Sequence, residues 1–187
     1  MIRQATAADL LFVRDLQRRF TNQIGFLPTE ATQRELARGR IMIGTLNDAE
    51  AGFLYTLPAL ASQPTTTAII QTAVRMDAQR QLLGLTMINA IASAATAAGQ
   101  TILQAWCKAN LEANHFWQAA GFKAIATRPG GNRKHIPHIL WRLALDDSAE
   151  LTILPADKYN RLPGGRFAKR ECRTTANPLT TAPPSLS

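Results

Sequence analysis

A strand that runs into an open turn and then a helix start can hold phosphate, and residues 72–86 have that pattern. Apolar residues Ile69, Ile70 and Val74 lead into Asp77-Ala78-Gln79-Arg80-Gln81-Leu82-Leu83-Gly84-Leu85-Thr86, and a long apolar segment follows. The first turn of a helix carries backbone N–H groups with no internal partner, and the helix dipole adds positive potential there. Gly84 removes a side chain where a phosphate would approach, and Arg80 supplies a nearby cation, so the segment reads as a pyrophosphate cradle. A single glycine at a helix start also reads as a simple packing residue, which is the commoner reason for one.

Other residue types that could do chemistry are scattered. His115 could act as a base, but no partner can be assigned to it, and an exposed helix histidine accounts for it as well. His135 and His138 flank Pro137 with a spacing that suits no zinc motif, so no metal is assigned. Cys107 lies in an apolar stretch and reads as a buried thiol, because no nucleophile triad can be placed around it. Glu30, Asp77 and Glu112 are candidate bases acting through water, and the sequence does not rank them.

The elements that must position these residues follow from period and punctuation. Residues 2–5 read as a strand, and Thr6-Ala7-Ala8-Asp9 as a capping box that starts a helix through Leu10, Val13, Leu16 and Phe20. A second helix is expected over 30–38, closed by Gly39. A hairpin of strands 40–46 and 51–57 turns at Asn47-Asp48. Residues 58–64 read as a loop and 66–76 as a β-branched strand. A long helix over 83–98 ends at Gly99. Strand 101–107, helix 112–120 closed by Gly121, and strands 122–127 and 135–145 complete the order β-α-α-β-β-β-α-β-α-β-β. This is an α/β chain with a mixed sheet and helices on its faces.

The 187 residues are enough for one ordinary domain. The opening lacks the apolar core of a signal peptide. Residues 82–98 carry no charge, but Gly84, Thr86, Asn89, Ser93 and Thr96 interrupt them, so they read as a buried helix rather than a membrane span. A cytoplasmic protein without membrane contact is the expectation. Its two cysteines, Cys107 and Cys172, make no disulfide or zinc framework.

The net charge of +8 favours an anionic partner, or simply keeps the chain soluble. Lys123, Arg128, Arg133, Lys134 and Arg142 fall in an acid-free run. Lys158, Arg161, Arg166, Lys169, Arg170 and Arg173 follow in a tail rich in Pro and Thr. These clusters, with Trp141, Tyr159 and Phe167 as stacking groups, could track a nucleic acid backbone; a solvated basic surface is the plainer account. Residues 1–147 are expected to form the domain, 148–187 a basic tail, and the last dozen or so residues to be disordered.

The motifs resemble those of the GNAT N-acetyltransferases. That family's phosphate loop has Gln or Arg, two residues, Gly, one residue, then Gly or Ala. Gln81-Leu82-Leu83-Gly84-Leu85-Thr86 is similar, and Thr86 departs at the last position. Downstream the family shows Asn, Ala three later, an aromatic pair three after that, and then Gly-Phe. Asn110, Ala113, Phe116-Trp117 and Gly121-Phe122 match that spacing, and Ile2-Arg3-Gln4-Ala5-Thr6-Ala7-Ala8-Asp9 looks like the family's first strand and helix cap.

The resemblance covers residues 1–145. It implies a central mixed sheet of six to seven strands flanked by about four helices, with a splayed strand pair for acyl-CoA. It also implies acetyl transfer from acetyl-CoA to an amine-bearing acceptor, with a homodimer left open. By the same resemblance the Val74, Arg75 and Met76 backbone lies along the pantetheine arm, and one of their N–H groups polarises the thioester carbonyl. Gln81, Leu82, Leu83, Gly84, Leu85 and Thr86 hold the pyrophosphate, Asn110 bonds the pantetheine or fixes the splay, and Phe116 packs beside the arm. Trp117 stands where many members have a Tyr that protonates the leaving thiolate. Indole offers only a donor N–H. A thiol that ionises at about 8.5 is already a fair leaving group, so positioning and electrostatics could suffice.

Overall fold

The computed structural model of the chain describes residues 1–59, 63–130 and 136–146. The tail after residue 146, including Cys172 and its basic cluster, lies outside them, as do His135, Arg133 and Lys134. The strands are β1 (Ile2–Gln4), β2 (Ile41–Leu46), β3 (Ala49–Leu57), β4 (Thr66–Val74), β5 (Ile102–Lys108), β6 (Lys123–Arg128) and β7 (His138–Ala144). The helices are α1 (Leu10–Arg19), α2 (Thr21–Ile24), α3 (Thr29–Ala37), α4 (Leu83–Ala97) and α5 (Ala113–Ala119). The strands form one seven-stranded mixed sheet in the order β1-β2-β3-β4-β5-β7-β6, in which β4 and β5 are parallel and the other neighbours antiparallel.

Alternation along the strands builds a core on each face. Phe53 and Tyr55 of β3 turn to one side, with Ile41 and Ile43 of β2, and meet Val13 and Leu16 of α1 and Leu36 of α3. Leu54, between them, turns to the other side. There Leu103, Ala105, Cys107, Ile139 and Trp141 pack under Met87, Ile88 and Ile91 of α4 and Trp117 of α5. The result is three layers, helix on sheet on helix. Helix α4 can lie low on β2 because Gly44 has no side chain: a Cβ there would sit 2.9 Å from the Met87 sulfur.

Local signals set the ends. Asn47 and Asp48 both take positive φ, 49° and 60°, which gives the tight β2–β3 turn the twist that antiparallel strands need. Asp9 accepts a hydrogen bond from the Thr6 N–H at 2.7 Å and holds Arg3 of β1 through two bonds at 2.8 and 2.6 Å. The Arg3 guanidinium, helped by Thr6, holds the Asp9 carboxyl down at about 2.

Strand β7, expected over 135–145, spans His138–Ala144, and two further differences bear on the site. The chain makes an extra turn of helix, α2, between α1 and α3, supported by the Thr21 hydroxyl donating to Gln17 O at 2.7 Å. Strand β4, expected to reach Met76, stops at Val74. Met76 opens a 3-10 turn, Met76–Ala78, and its side chain is 81% exposed. Among the described residues no helix is long and apolar enough to cross a membrane.

Candidate functional site

The two parallel strands come apart part-way along their length. β4 and β5 pair from Thr66↔Ile102 to Ile69↔Ala105 and no further, although β4 continues to Val74 and β5 to Lys108. The cause lies in the β3–β4 register, where Tyr55 pairs with Gln71 but Thr56 pairs with Ile69. Ile70 is therefore an extra, bulged residue, placed where the pairing with β5 ends, and a bulge bends its strand. The split opens into a cavity of about 730 Å³.

The backbone groups lining that split follow from alternation. Arg75 N–H donates to Ala51 O at 2.7 Å, so Ala73 and Arg75 point their N–H groups at β3. Thr72 and Val74, the alternate residues, turn theirs toward the gap. The Val74 carbonyl accepts from Gln79 Nε2 at 3.2 Å, while its N–H faces the cavity. On the other side, Ala109 N–H donates to Pro137 O at 2.8 Å, so Trp106 and Lys108 turn their backbone groups inward.

One end of the cavity is the start of α4. Thr86 N–H is tied to Leu82 O at 2.9 Å, and the amides of Leu83, Gly84 and Leu85 are the first-turn donors without a helical acceptor. The turn before them is strained: Arg80 and Leu82 take φ of 60° and 59°, which costs a non-glycine residue about 1 kcal/mol or more each. Strain of this kind is kept where the backbone has a task. Arg80 lines the cavity and has no ion-pair partner among the described residues. Gln81 donates to Asp77 O at 3.1 Å and ties the turn to itself. The space a Cβ would take at Gly84 is held by the Phe116 ring, at 3.1 and 3.3 Å, so this glycine first of all lets α4 and α5 approach closely.

The expected site residues divide in two. Val74, Leu82, Leu83, Gly84, Leu85, Phe116 and Trp117 line the cavity together. Arg75, Met76, Gln81, Thr86 and Asn110 lie off its wall. The Arg75 guanidinium is paired with Asp77 at 2.7 Å, and the Thr86 hydroxyl donates back to Leu82 O at 3.1 Å. Asn110 is exposed on the turn after β5, and the linking role belongs to Asn114, which the motif spacing did not single out. Asn114 Nδ2 donates to Lys108 O and Leu111 O at 2.8 and 2.7 Å, and its Oδ1 accepts the Trp141 indole N–H at 2.9 Å. It joins β5, α5 and β7 beside the split.

Trp117 is buried, with Phe116 and Phe122 edge-on at 5.2 and 5.0 Å. Burial pushes the neighbouring Cys107 thiol up to about 11, which keeps it protonated and unreactive. Of the three candidate carboxylates only Glu112 lines the cavity; Asp77 is paired with Arg75, and Glu30 is exposed on α3. His115 is exposed off the cavity wall, whereas His138 lines it.

The far wall is built by Phe20, Gln23, Ile24 and Gly25 at the end of α1 and in α2. A buried polar link holds this rim in place: Gln17 Nε2 donates to Gln71 Oε1 at 2.8 Å, and Gln71 Nε2 donates to Ile24 O and Gly25 O at 3.3 Å. Of the basic run expected on a nucleic acid, Arg142 is half-buried and donates to Gln104 and Gln63 at 3.2 and 2.7 Å, which removes it from an open surface.

No family model matches the chain, and no curated protein matches its sequence. Solved structures do match. The ribosomal-protein-S18-alanine N-acetyltransferase of Escherichia coli superposes with a TM-score of 0.65 at 20% identity, over 80% of this chain and 96% of that one. A proposed acetyltransferase from Salmonella typhimurium, solved with its cofactor acetyl-CoA, gives 0.67 at 16% identity over 80% and 96%. An acetyltransferase of the GNAT family from Streptococcus pneumoniae gives 0.64 at 19% identity over 78% and 99%. At these identities the likeness shows the fold, and the fold is that of the GNAT acetyltransferases.

Proposed function

We propose that this chain is an N-acetyltransferase that moves an acetyl group from acetyl-CoA to an amine by direct attack, with residues 1–147 as the catalytic domain. The observation that carries the reading is the split between β4 and β5, which ends on the open amides of α4. It gives an extended arm a slot with inward-facing backbone donors, and gives a pyrophosphate a helix start. Acetyl-CoA, present in one of the solved structures of this fold, has both parts.

Acetyl-CoA supplies a thioester carbonyl for the amine to attack and a thiol to leave. In this reading the Val74 N–H donates to the carbonyl oxygen as charge develops there. Leu83, Gly84 and Leu85 amides, with Arg80, hold the phosphates. Phe116 packs along the arm, and the Gln71-held rim of α2 keeps the acceptor facing it. Water next to Glu112 or the His138 ring takes the amine proton. Burial, Arg128 and Lys108 lower the His138 pKa, so its ring is neutral near pH 7 and able to accept one. Among the described residues no tyrosine lines the cavity, so none of them offers the leaving thiolate a phenol.

Calorimetric titration of the full chain with acetyl-CoA tests the reading. Saturable one-site binding is expected; absence of heat at millimolar acetyl-CoA would sink it. Trp117→Phe keeps an apolar ring and removes the indole N–H, and most of the turnover is expected to remain. Lost turnover with acetyl-CoA binding intact would instead put the indole into the chemistry.

A further inference from the structure

Three basic side chains stand in one row across the acceptor end of the cavity. Lys108 of β5 pairs with His138 of β7, and His138 pairs with Arg128 of β6. Residues directly opposite in antiparallel strands share a face, so the three side chains are neighbours on one side of the sheet. Trp106, two residues before Lys108, is on that face too, and all four line the cavity. The Arg128 guanidinium carbon lies over the Trp106 ring, 4.1 Å from its centroid.

None of the three has a carboxylate partner among the described residues. Lys108 Nζ donates to Asn22 O of α2 and keeps two further N–H donors. His138 Nδ1 is buried without a hydrogen-bond partner. The facing rim contributes Phe20, Gln23, Ile24 and Gly25, with no acid among them, and among the described residues the one carboxylate on the cavity wall is Glu112, at the start of α5.

We propose that this row is an anion subsite, and that the acceptor is an amine carrying a carboxylate or phosphate group beside an apolar body that packs on Trp106. The inference takes the cavity's acceptor role from the proposed acetyl transfer. A plain ammonium would be repelled by the row, whereas an anionic group on the same molecule offsets that repulsion and orients it. The same positive field favours the neutral, nucleophilic form of the amine. Lys108 and Arg128 supply charged donors to the anion, and His138 gains a counter-charge.

Binding can be read without any acyl donor, from the His138 ring in proton NMR of the full chain. Phenylacetate, which has the ring and carboxylate but no amine, is expected to bind saturably and raise the His138 pKa by at least about half a unit. Phenyl phosphate, the second arm, shows by its relative affinity which anion the row prefers. Phenethylamine, with the ring and no anion, is expected to leave His138 unmoved. Arg128→Gln and Lys108→Gln should each weaken the anion by about tenfold, with Arg128→Lys in between. The proposal is overturned if neither anion moves His138, or if phenethylamine moves it equally. Anion binding together with no acetyl-CoA binding overturns the transfer reading and leaves the subsite standing; the reverse result overturns the subsite alone.

Discussion

Gly84→Glu is expected to weaken CoA binding by at least about a hundredfold, or ~3 kcal/mol. Two effects act together. The new Cβ would lie 3.1 Å from the Phe116 ring, which must give by a few tenths of an ångström. The carboxylate then sits beside the open amides of Leu83 and Leu85, where it competes with phosphate for the same donors and repels it. Pantetheine, which lacks the nucleotide phosphates, escapes the second effect and should lose much less. Gly84→Ala separates the two causes, because it adds only a methyl group against Phe116. Its loss should be similar for CoA and pantetheine. Should Gly84→Glu cost both ligands equally, this glycine would serve only the packing of α4 on α5, and the phosphate role would fall. Calorimetry with both ligands on the three proteins decides it.

Asn114→Ala is expected to destabilise the fold by about 2–3 kcal/mol, because it removes three side-chain hydrogen bonds, two to the Lys108 and Leu111 carbonyls and one from the Trp141 indole. For a domain of this size that is a fall of about 5–10 °C in the unfolding midpoint. Acetyl-CoA binding should weaken as well, since the same amide holds the β5 side of the split. Asn110→Ala, on an exposed turn, should change stability by no more than about 0.5 kcal/mol. Thermal unfolding of both variants reads the contrast. An Asn110→Ala protein as unstable as Asn114→Ala would show that the motif position, not its neighbour four residues on, does the anchoring.

That contrast shows how motif spacing and geometry divide the information. The spacing from Asn110 through Ala113 and Phe116-Trp117 to Gly121-Phe122 falls on the turn after β5, on α5 and on the approach to β6. It does not say which amide reaches the β5 carbonyl. Asn114 does so from within the first turns of α5, where its side chain points back along the helix toward β5 and β7. Likewise Gln81 and Thr86 match or nearly match a loop pattern, yet both side chains bond backbone carbonyls of their own segment.

Local chemistry is what the sequence by itself determined. Positive φ at Asn47 and Asp48 turns the hairpin, and Thr6 with Asp9 starts the first helix. Gly39, Gly99 and Gly121 follow helices at φ of 67°, 74° and 88°, and the apolar periods place the strands and helices between them. Each depends on contacts within a few residues, so it is written in adjacent letters. The rest belonged to tertiary structure, because it depends on pairing between distant segments. The bulge at Ile70 exists only against β3, and beyond Ala105 β5 stays paired with β7 while its pairing with β4 has ended. The Val74 N–H is open because Arg75, next to it, is held by Ala51. Lys108, Arg128 and His138 are unrelated in sequence, and become one basic row only when β7 is laid between β5 and β6.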